Sequence, residues 1–156
     1  MPTLDDVYRK FGEAAEVAQL IETELGTLLL QVRGVDEGLL DKPNPARASD
    51  ILDTINRYTL GQLIKNLNTT TQSLDGLDSL LTSAREERNR LFHTFYRGHN
   101  FRRNSDEGRA LMLSDVESIH DALLRAYKAI MLLSGVDLEA LAATGEHVGP
   151  TDHLPI

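Results

Sequence analysis

Cysteine is absent from this chain of 156 residues. Its absence excludes disulfide bonds, thiolate nucleophiles and zinc sites built on thiolates. No apolar run approaches the roughly 20 residues of a membrane span, and the N-terminus lacks the basic-then-apolar order of a signal peptide. Together these features predict a cytoplasmic protein without a membrane partner.

Proline and aromatic residues are scarce. The five prolines lie at positions 2, 43, 45, 150 and 155, so the long stretches between them carry no helix breaker of this kind. Aromatic residues make up only 5% of the chain and tryptophan is absent, whereas leucine and alanine dominate the apolar set. This composition favours helices packed on helices over a sheet. The length predicts a single core.

Three long stretches repeat apolar residues at alternating intervals of three and four, which predicts three amphipathic helices. The predicted ranges are 4–33, ending near Gly34; Thr71 to Tyr96; and a helix capped by Asn104 with Glu107 that stops at Gly135. Between the last two we expect a loop that starts near Gly98.

Shorter helices are predicted between and after the long ones. Ser49 or Asp50 can cap a helix that runs to about residue 57, and Thr59 with Gln62 has the form of a capping box for a helix through residue 67. We therefore predict an all-α, antiparallel bundle of four or five helices over residues 1–135. Residues 136–156 are expected to form a short helix and a C-terminal tail without predicted order.

The regular spacing of the apolar residues also supports packing between chains, so a symmetric homodimer is expected. The alternative is a monomer in which the long helices wrap the short ones.

Arg88 occupies a core position in the second long helix. The apolar series that it interrupts is Leu74, Leu77, Leu81, Ala84, Leu91 and Phe95. Burying an unpaired guanidinium costs several kcal/mol, so Arg88 needs an anion or an acidic partner. At about 100° per residue, Asn89 and His93 lie on one flank of the same helix, with Arg85 and Tyr96 beside them. Alternatively, Arg88 pairs with Glu22 or Glu24 of the first helix, and His93 is a half-buried residue bonded to a carbonyl.

The surrounding segment is basic within an acidic protein. The net charge is −8, yet residues 85–103 contain six arginines and two glutamates, a local charge of +4 that leaves −12 for the rest. Long nucleic acids are bound through many phosphate contacts, so this balance favours a small anionic ligand or a short single strand. A solvated helix end and loop would explain the same charge pattern.

Arginine, asparagine and histidine on one helix face suit the cleavage of RNA without a metal. The 2′-hydroxyl of RNA is a built-in nucleophile, so a proton carrier and a cation suffice. His93 suits the proton transfer, Arg88 would hold the phosphate, and Asn89 could orient either group. No second histidine stands at the i+4 spacing from His93 that zinc motifs use, so no metal cofactor is expected.

The segment from Arg88 to His93, with the surrounding text ERNRLFHTFYRGHNF and SDEGRALMLSDVE, resembles the HEPN domain family and its Arg-x4-6-His motif. The resemblance covers about residues 4–134. It implies a helical dimer with the two motifs meeting across a cleft. Active members are metal-independent endoribonucleases, often toxins of toxin–antitoxin systems or defence proteins, whereas others bind nucleotides or protein partners without catalysis.

By this resemblance Arg88 and His93 would be the catalytic pair and Asn89 their polar companion. Many toxins of the family extend the motif to His-x-Tyr, but this chain has Phe95 at that place and Tyr96 one residue later. That departure puts tyrosine-based regulation by a partner nucleotidyltransferase in doubt, although not cleavage itself. The resemblance also implies a cognate antitoxin as a partner.

Further candidates surround this pair. The candidate substrate-binding residues are Arg85, Tyr96, Arg97 and His99. His99, Arg102 and Arg103 are weaker candidates, for which the pattern favours solvated loop residues over RNA contacts.

Overall fold

The computed structural model describes residues 1–70 and 77–145. Within these ranges every regular element is helical, which confirms the all-α prediction. The elements are α1 (Leu4–Asp36), α2 (Pro45–Ile55), α3 (Leu60–Thr70), α4 (Asp78–His93), α5 (Phe95–His99), a 3-10 turn (Asn100–Asn104), α6 (Asp106–Leu133) and α7 (Leu138–Thr144). The predicted tail from residue 146, and the predicted start of the second long helix at Thr71, lie outside the described residues.

Helix α1 begins at a capping box that the sequence analysis did not identify. Thr3 accepts a hydrogen bond from the Asp6 amide, while the Asp6 carboxylate accepts one from the Thr3 amide. The helix continues through Gly34, where an end was predicted. It ends only before Gly38, which has a φ of 68°. Gly38 supplies the left-handed conformation that commonly ends helices.

Helix α2 begins earlier than predicted. The Asn44 side chain accepts a hydrogen bond from the Arg47 amide, and Pro45 occupies the first helical position. The predicted caps Ser49 and Asp50 are therefore inside the helix. Proline at the first position has no amide hydrogen to leave unpaired, so the Asn-Pro pair starts the helix instead of breaking it.

Helix α3 begins at the predicted capping box. The Thr59 amide donates to Gln62 Oε1 at 2.8 Å, and the Gln62 amide donates to Thr59 Oγ1 at 3.3 Å. This prediction is confirmed.

The second long helix ends earlier than predicted, and the following loop is helical. Thr94 has a φ of −131°, and both its amide and its hydroxyl donate to the Arg90 carbonyl. A threonine hydroxyl bonded in this way competes with the helical hydrogen bonds. Helix α4 thus stops at His93, and α5 and the 3-10 turn occupy most of the predicted loop. The cap of α6 is Ser105, which accepts from the Gly108 amide at 3.0 Å, and not Asn104.

The three longest helices form the body of the bundle. Glu22 of α1 contacts Arg88 of α4, and Phe11, earlier in α1, contacts Phe95 at the start of α5. The chain through α4 and into α5 therefore runs antiparallel to α1. Helix α6 turns back along α4 and runs parallel to α1, since Arg109 near its start donates to the carbonyl of Pro2. Consecutive long helices are thus antiparallel, and the third lies against the first.

The predicted apolar series of α6 faces the core except at its end. Its residues Met112, Val116, Ile119, Leu123, Ala126 and Ile130 are buried. Leu133, which continues the same spacing of three and four, is 48% exposed and lies outside the core. Burying one leucine, isoleucine, valine or methionine side chain contributes about 1.5–3 kcal/mol. The buried series therefore holds α6 against α1 and α4. No helix in the described ranges is long and apolar enough to cross a membrane.

Candidate active site

The motif residues lie near the C-terminal end of α4, on the side away from the core. Leu81, Ala84 and Leu91 of this helix are buried, whereas Asn89 and His93 are exposed. The helical period therefore places the amide and the imidazole on one outer surface, which we call the motif face. Arg88 lies at its edge, against α1.

Arg88 is held by three neighbours. Its Nε donates to Glu22 Oε1 at 3.0 Å, and its Nη1 donates a longer hydrogen bond to Asn89 Oδ1 at 3.4 Å. Its Cζ stands 5.1 Å from the centre of the Phe92 ring, within cation–π range. Glu22 is one of the two acidic partners weighed from the sequence, so that alternative is confirmed. The guanidinium is balanced by a carboxylate of its own chain.

The ion pair leaves part of Arg88 available. The side chains of Arg88 and Glu22 are 27% and 29% exposed, so the pair lies at the surface of the bundle and is not sealed inside it. Nη2 of Arg88 has no hydrogen-bond partner among the described residues. Because Nε is fixed and the ring of Phe92 covers one face, the free edge of the guanidinium has a defined direction.

His93 and Arg85 have no hydrogen bond or ion pair within the described part of the chain, and both are exposed. The alternative of a half-buried His93 bonded to a carbonyl is therefore wrong. Both side chains are free to meet a ligand or a second protein.

Tyr96 lies beyond the break at Thr94, on α5, where it packs against α1. Its ring contacts Phe11 and Phe95, with centroids 5.3 and 5.1 Å away, and is 44% exposed. Burial raises the pKa of Tyr96, and the nearby Tyr8 raises it further, while Arg103 opposes the shift. The phenol is thus neutral over a wider pH range than usual.

Arg97 and His99 lie elsewhere. They line a pocket of about 300 Å³ between α4, α5, the 3-10 turn and α6, together with Arg90, Arg102 and Asp115. We call it the basic pocket. The seven predicted site residues therefore separate into a motif face and this second location.

His99 is buried, with 5% of its surface exposed, so its interpretation as a solvated loop residue is wrong. Its Nε2 is 2.8 Å from Asp115 Oδ2, and its Nδ1 is 3.1 Å from Nη1 of Arg102. A guanidinium can only donate, so in a neutral imidazole Nδ1 accepts this bond and Nε2 carries the proton. The two contacts match that tautomer.

Asp115 joins this histidine to a charge network that the sequence analysis missed. Nη1 of Arg90 donates to both Asp115 oxygens, at 2.7 and 2.8 Å, and Nε and Nη2 of Arg90 donate to Glu87 Oε2. Burial raises the pKa of Asp115, but the hydrogen bonds from Arg90 and His99 outweigh it and leave that pKa below its usual value. The i,i+3 spacing of Glu87 and Arg90 was visible in the sequence; the partner on α6 was not.

A groove of about 520 Å³ lies beside the motif face, between α1, α2 and α3. Glu22 lines its end, so the Arg88 ion pair stands where the groove meets α4. Gly26 lies at its base, where an added β-carbon would stand 3.2 Å from Ile55. Among the described residues no group of three or more histidine and acidic side chains is arranged to hold a metal ion.

No family model, curated protein or solved structure matches this chain. The likeness to the HEPN family thus rests on the motif residues and their place near the end of α4.

Proposed function

We propose that this protein is a metal-independent endoribonuclease of the HEPN type, active as a homodimer and serving as a toxin or defence component. One observation carries the proposal: Asn89 and His93 lie on the motif face with Arg88 at its edge, and both the imidazole and Nη2 of the guanidinium have no hydrogen-bond partner in the described part of the chain. A cation held in a fixed direction beside a proton carrier is what phosphodiester cleavage requires.

In the proposed reaction the 2′-oxygen of RNA bonds to phosphorus and the bond from phosphorus to the 5′-oxygen breaks. The products are a 2′,3′-cyclic phosphate and a 5′-hydroxyl. One imidazole takes the proton of the 2′-hydroxyl, and another gives a proton to the departing 5′-oxygen. Each chain supplies one His93, so two copies related by a twofold axis would provide both. Arg88 stabilises the charge on the phosphoryl oxygens.

The surroundings of His93 support self-association. Phe92 and Tyr96, on either side of His93 in the sequence, are 41% and 44% exposed. Exposed aromatic side chains are enriched at protein interfaces, where they are buried between partners. We propose that the two copies pair through this face, with short unpaired RNA as the substrate, because the acidic body repels long duplexes.

Cleavage of single-stranded and transfer RNA in the presence of a chelator tests this proposal. We expect His93→Ala to lose about 100-fold or more of the activity, the usual contribution of a positioned acid or base. Arg125→Ala, an exposed arginine on α6, is the matched control and should keep full activity. Equal cleavage by His93→Ala and the wild type would remove the assignment.

The Arg88–Glu22 ion pair favours a second candidate, a non-catalytic dimer that binds nucleotides or a partner protein. In that case Arg88 serves the packing of α4 on α1, and a cognate antitoxin or a nucleotidyltransferase is the partner. A dimer in sedimentation that cleaves no RNA but binds the product of an adjacent gene would favour this candidate. Calorimetric titration with adenine and guanine nucleotides tests the nucleotide-binding form, which an absence of heat would remove.

A further inference from the structure

The basic pocket is separate from the motif face. Arg88 points toward α1, while Arg90, two residues later, points toward Asp115 on α6. The buried ring of Phe95 forms part of the pocket wall. A ligand in this pocket would therefore bind at a different place from the proposed catalytic residue His93.

The charged groups at the inner side of the pocket are paired with one another. Asp115 accepts from Arg90 through both oxygens and from His99, and Arg90 also binds Glu87. With His99 in the neutral tautomer, one arginine faces two carboxylates, so this network has a net charge of −1 and adds no positive charge to the pocket. Both oxygens of Asp115 have donors, whereas Arg90 donates only to Oε2 of Glu87.

The two cations at the rim are not balanced. Arg97 has no acidic partner within the described ranges, and the guanidinium of Arg102 contacts only the imidazole of His99, through a single nitrogen. Both side chains are exposed and line the same concave space. Two guanidinium groups in such a space, each with free donors, match the oxygens of a phosphate group.

The wall that carries Arg102 is rigidly built. Asn100 has a φ of 43°, which is uncommon for a residue other than glycine, and Gly108 of α6 lets the backbone of Arg102 approach closely. Nη1 of Arg109 donates to the carbonyl of Arg103 at 3.1 Å. Such backbone strain persists where the surroundings over-determine it, and often at ligand sites.

We propose that the basic pocket binds a phosphate monoester through Arg97 and Arg102. Two free cations are too few for a long polyanion, whose affinity comes from many phosphate contacts, but they suit one terminal phosphate. The same chemistry is offered by inorganic phosphate and by the terminal phosphate of a nucleotide or an RNA end.

Binding is tested by titrating the full chain with inorganic phosphate, with adenosine 5′-monophosphate and with adenosine, followed by amide chemical shifts. We expect both phosphates to shift the amides of residues 97–103 with dissociation constants of about 1 mM or below, and adenosine to leave them unchanged. The monophosphate binding about tenfold tighter than phosphate would identify a nucleotide or RNA end as the ligand. Equal affinities would identify the phosphate group alone.

The double variant Arg97→Ala/Arg102→Ala should weaken binding at least about tenfold, and Arg125→Ala should not. His93→Ala should bind phosphate like the wild type, which separates this site from the proposed ribonuclease. Both arginines are exposed, so the double variant is expected to fold, and its thermal unfolding checks this. No shift in the wild type up to about 10 mM phosphate, or equal binding by the double variant, would overturn the proposal.

Discussion

The substitution Gly108→Ala adds a β-carbon at the most crowded glycine in the described part of the chain. A β-carbon at position 108 would stand 2.0 Å from the Arg102 carbonyl oxygen and 2.6 Å from its carbon. The obstacle is backbone, so the 3-10 turn would have to move away from α6. Moving it would also strain the hydrogen bond from Arg109 to the carbonyl of Arg103 and the bond from Arg102 to His99.

The expected magnitude follows from opposing contributions. Alanine is favoured over glycine within a helix by about 1 kcal/mol. Overpacking costs about 1–3 kcal/mol, and losing a hydrogen bond with a charged donor costs about 1.5–3 kcal/mol. The net loss in the free energy of unfolding is then about 3 kcal/mol, which lowers Tm by about 6–12 °C for a chain of this size.

Urea and thermal unfolding followed by circular dichroism measure this loss. Gly12→Ala is the matched control, since Gly12 lies inside α1 and an added β-carbon would meet nothing within 4 Å. It should raise the free energy of unfolding by about 0.5–1 kcal/mol. If Gly108→Ala were as stable as Gly12→Ala, the reasoning about the 3-10 turn would be refuted.

Three further changes test the core, the charge network and the ion pair. Ile119→Ala should cost about 2–5 kcal/mol in urea unfolding, and a loss below 1 kcal/mol would contradict its place in the core. The pKa of Asp115 is lowered in the folded state, so its stabilisation is complete above about pH 4 and is lost as the pH falls through the lowered value. Asp115→Asn should therefore flatten the acid side of the stability profile, and an unchanged slope would count against the network. A double-mutant cycle of Arg88→Ala and Glu22→Ala should give a coupling of about 0.5–1 kcal/mol, and zero coupling would mean that the pair does not form in solution.

The long helices were predictable because each buries one stripe of side chains. In α1 and α6 the alternating spacing identified residues that are buried in the structure, such as Ile21 and Leu123. Helix ends were harder to predict, because several neighbouring residues have side chains that can cap the first turn of a helix. The structure uses Asn44 and Ser105 where Ser49 or Asp50 and Asn104 were expected.

The motif face was also predictable in part, since Asn89 and His93 are separated by one helical turn and both point outward. The sequence also suggested the pairing of Arg88 with Glu22, because an arginine in an apolar series needs an acidic partner or a bound anion. The break at Thr94 could not be foreseen, because it depends on one hydroxyl bonding the carbonyl of Arg90. That break sends the chain toward α6 and carries His99 away from the motif.

The basic pocket could not be predicted from the sequence, because its residues meet only through the tertiary fold. Asp115 and His99 are separated by a turn and by the start of α6, and only the close approach at Gly108 brings them together. Periodicity reports which side of a helix is buried, but it carries no information about which polar groups meet across two helices.

Two arginines that stand two residues apart on α4 are fastened to different neighbours, Arg88 to Glu22 on α1 and Arg90 to Asp115 on α6. Because these two ion pairs hold α4 on opposite flanks, they oppose rotation of the helix about its own axis. A ligand that drew Glu22 away from Arg88 would break only one of these two ion pairs. The Arg90–Asp115 pair would still fix the direction in which His93 points from the helix.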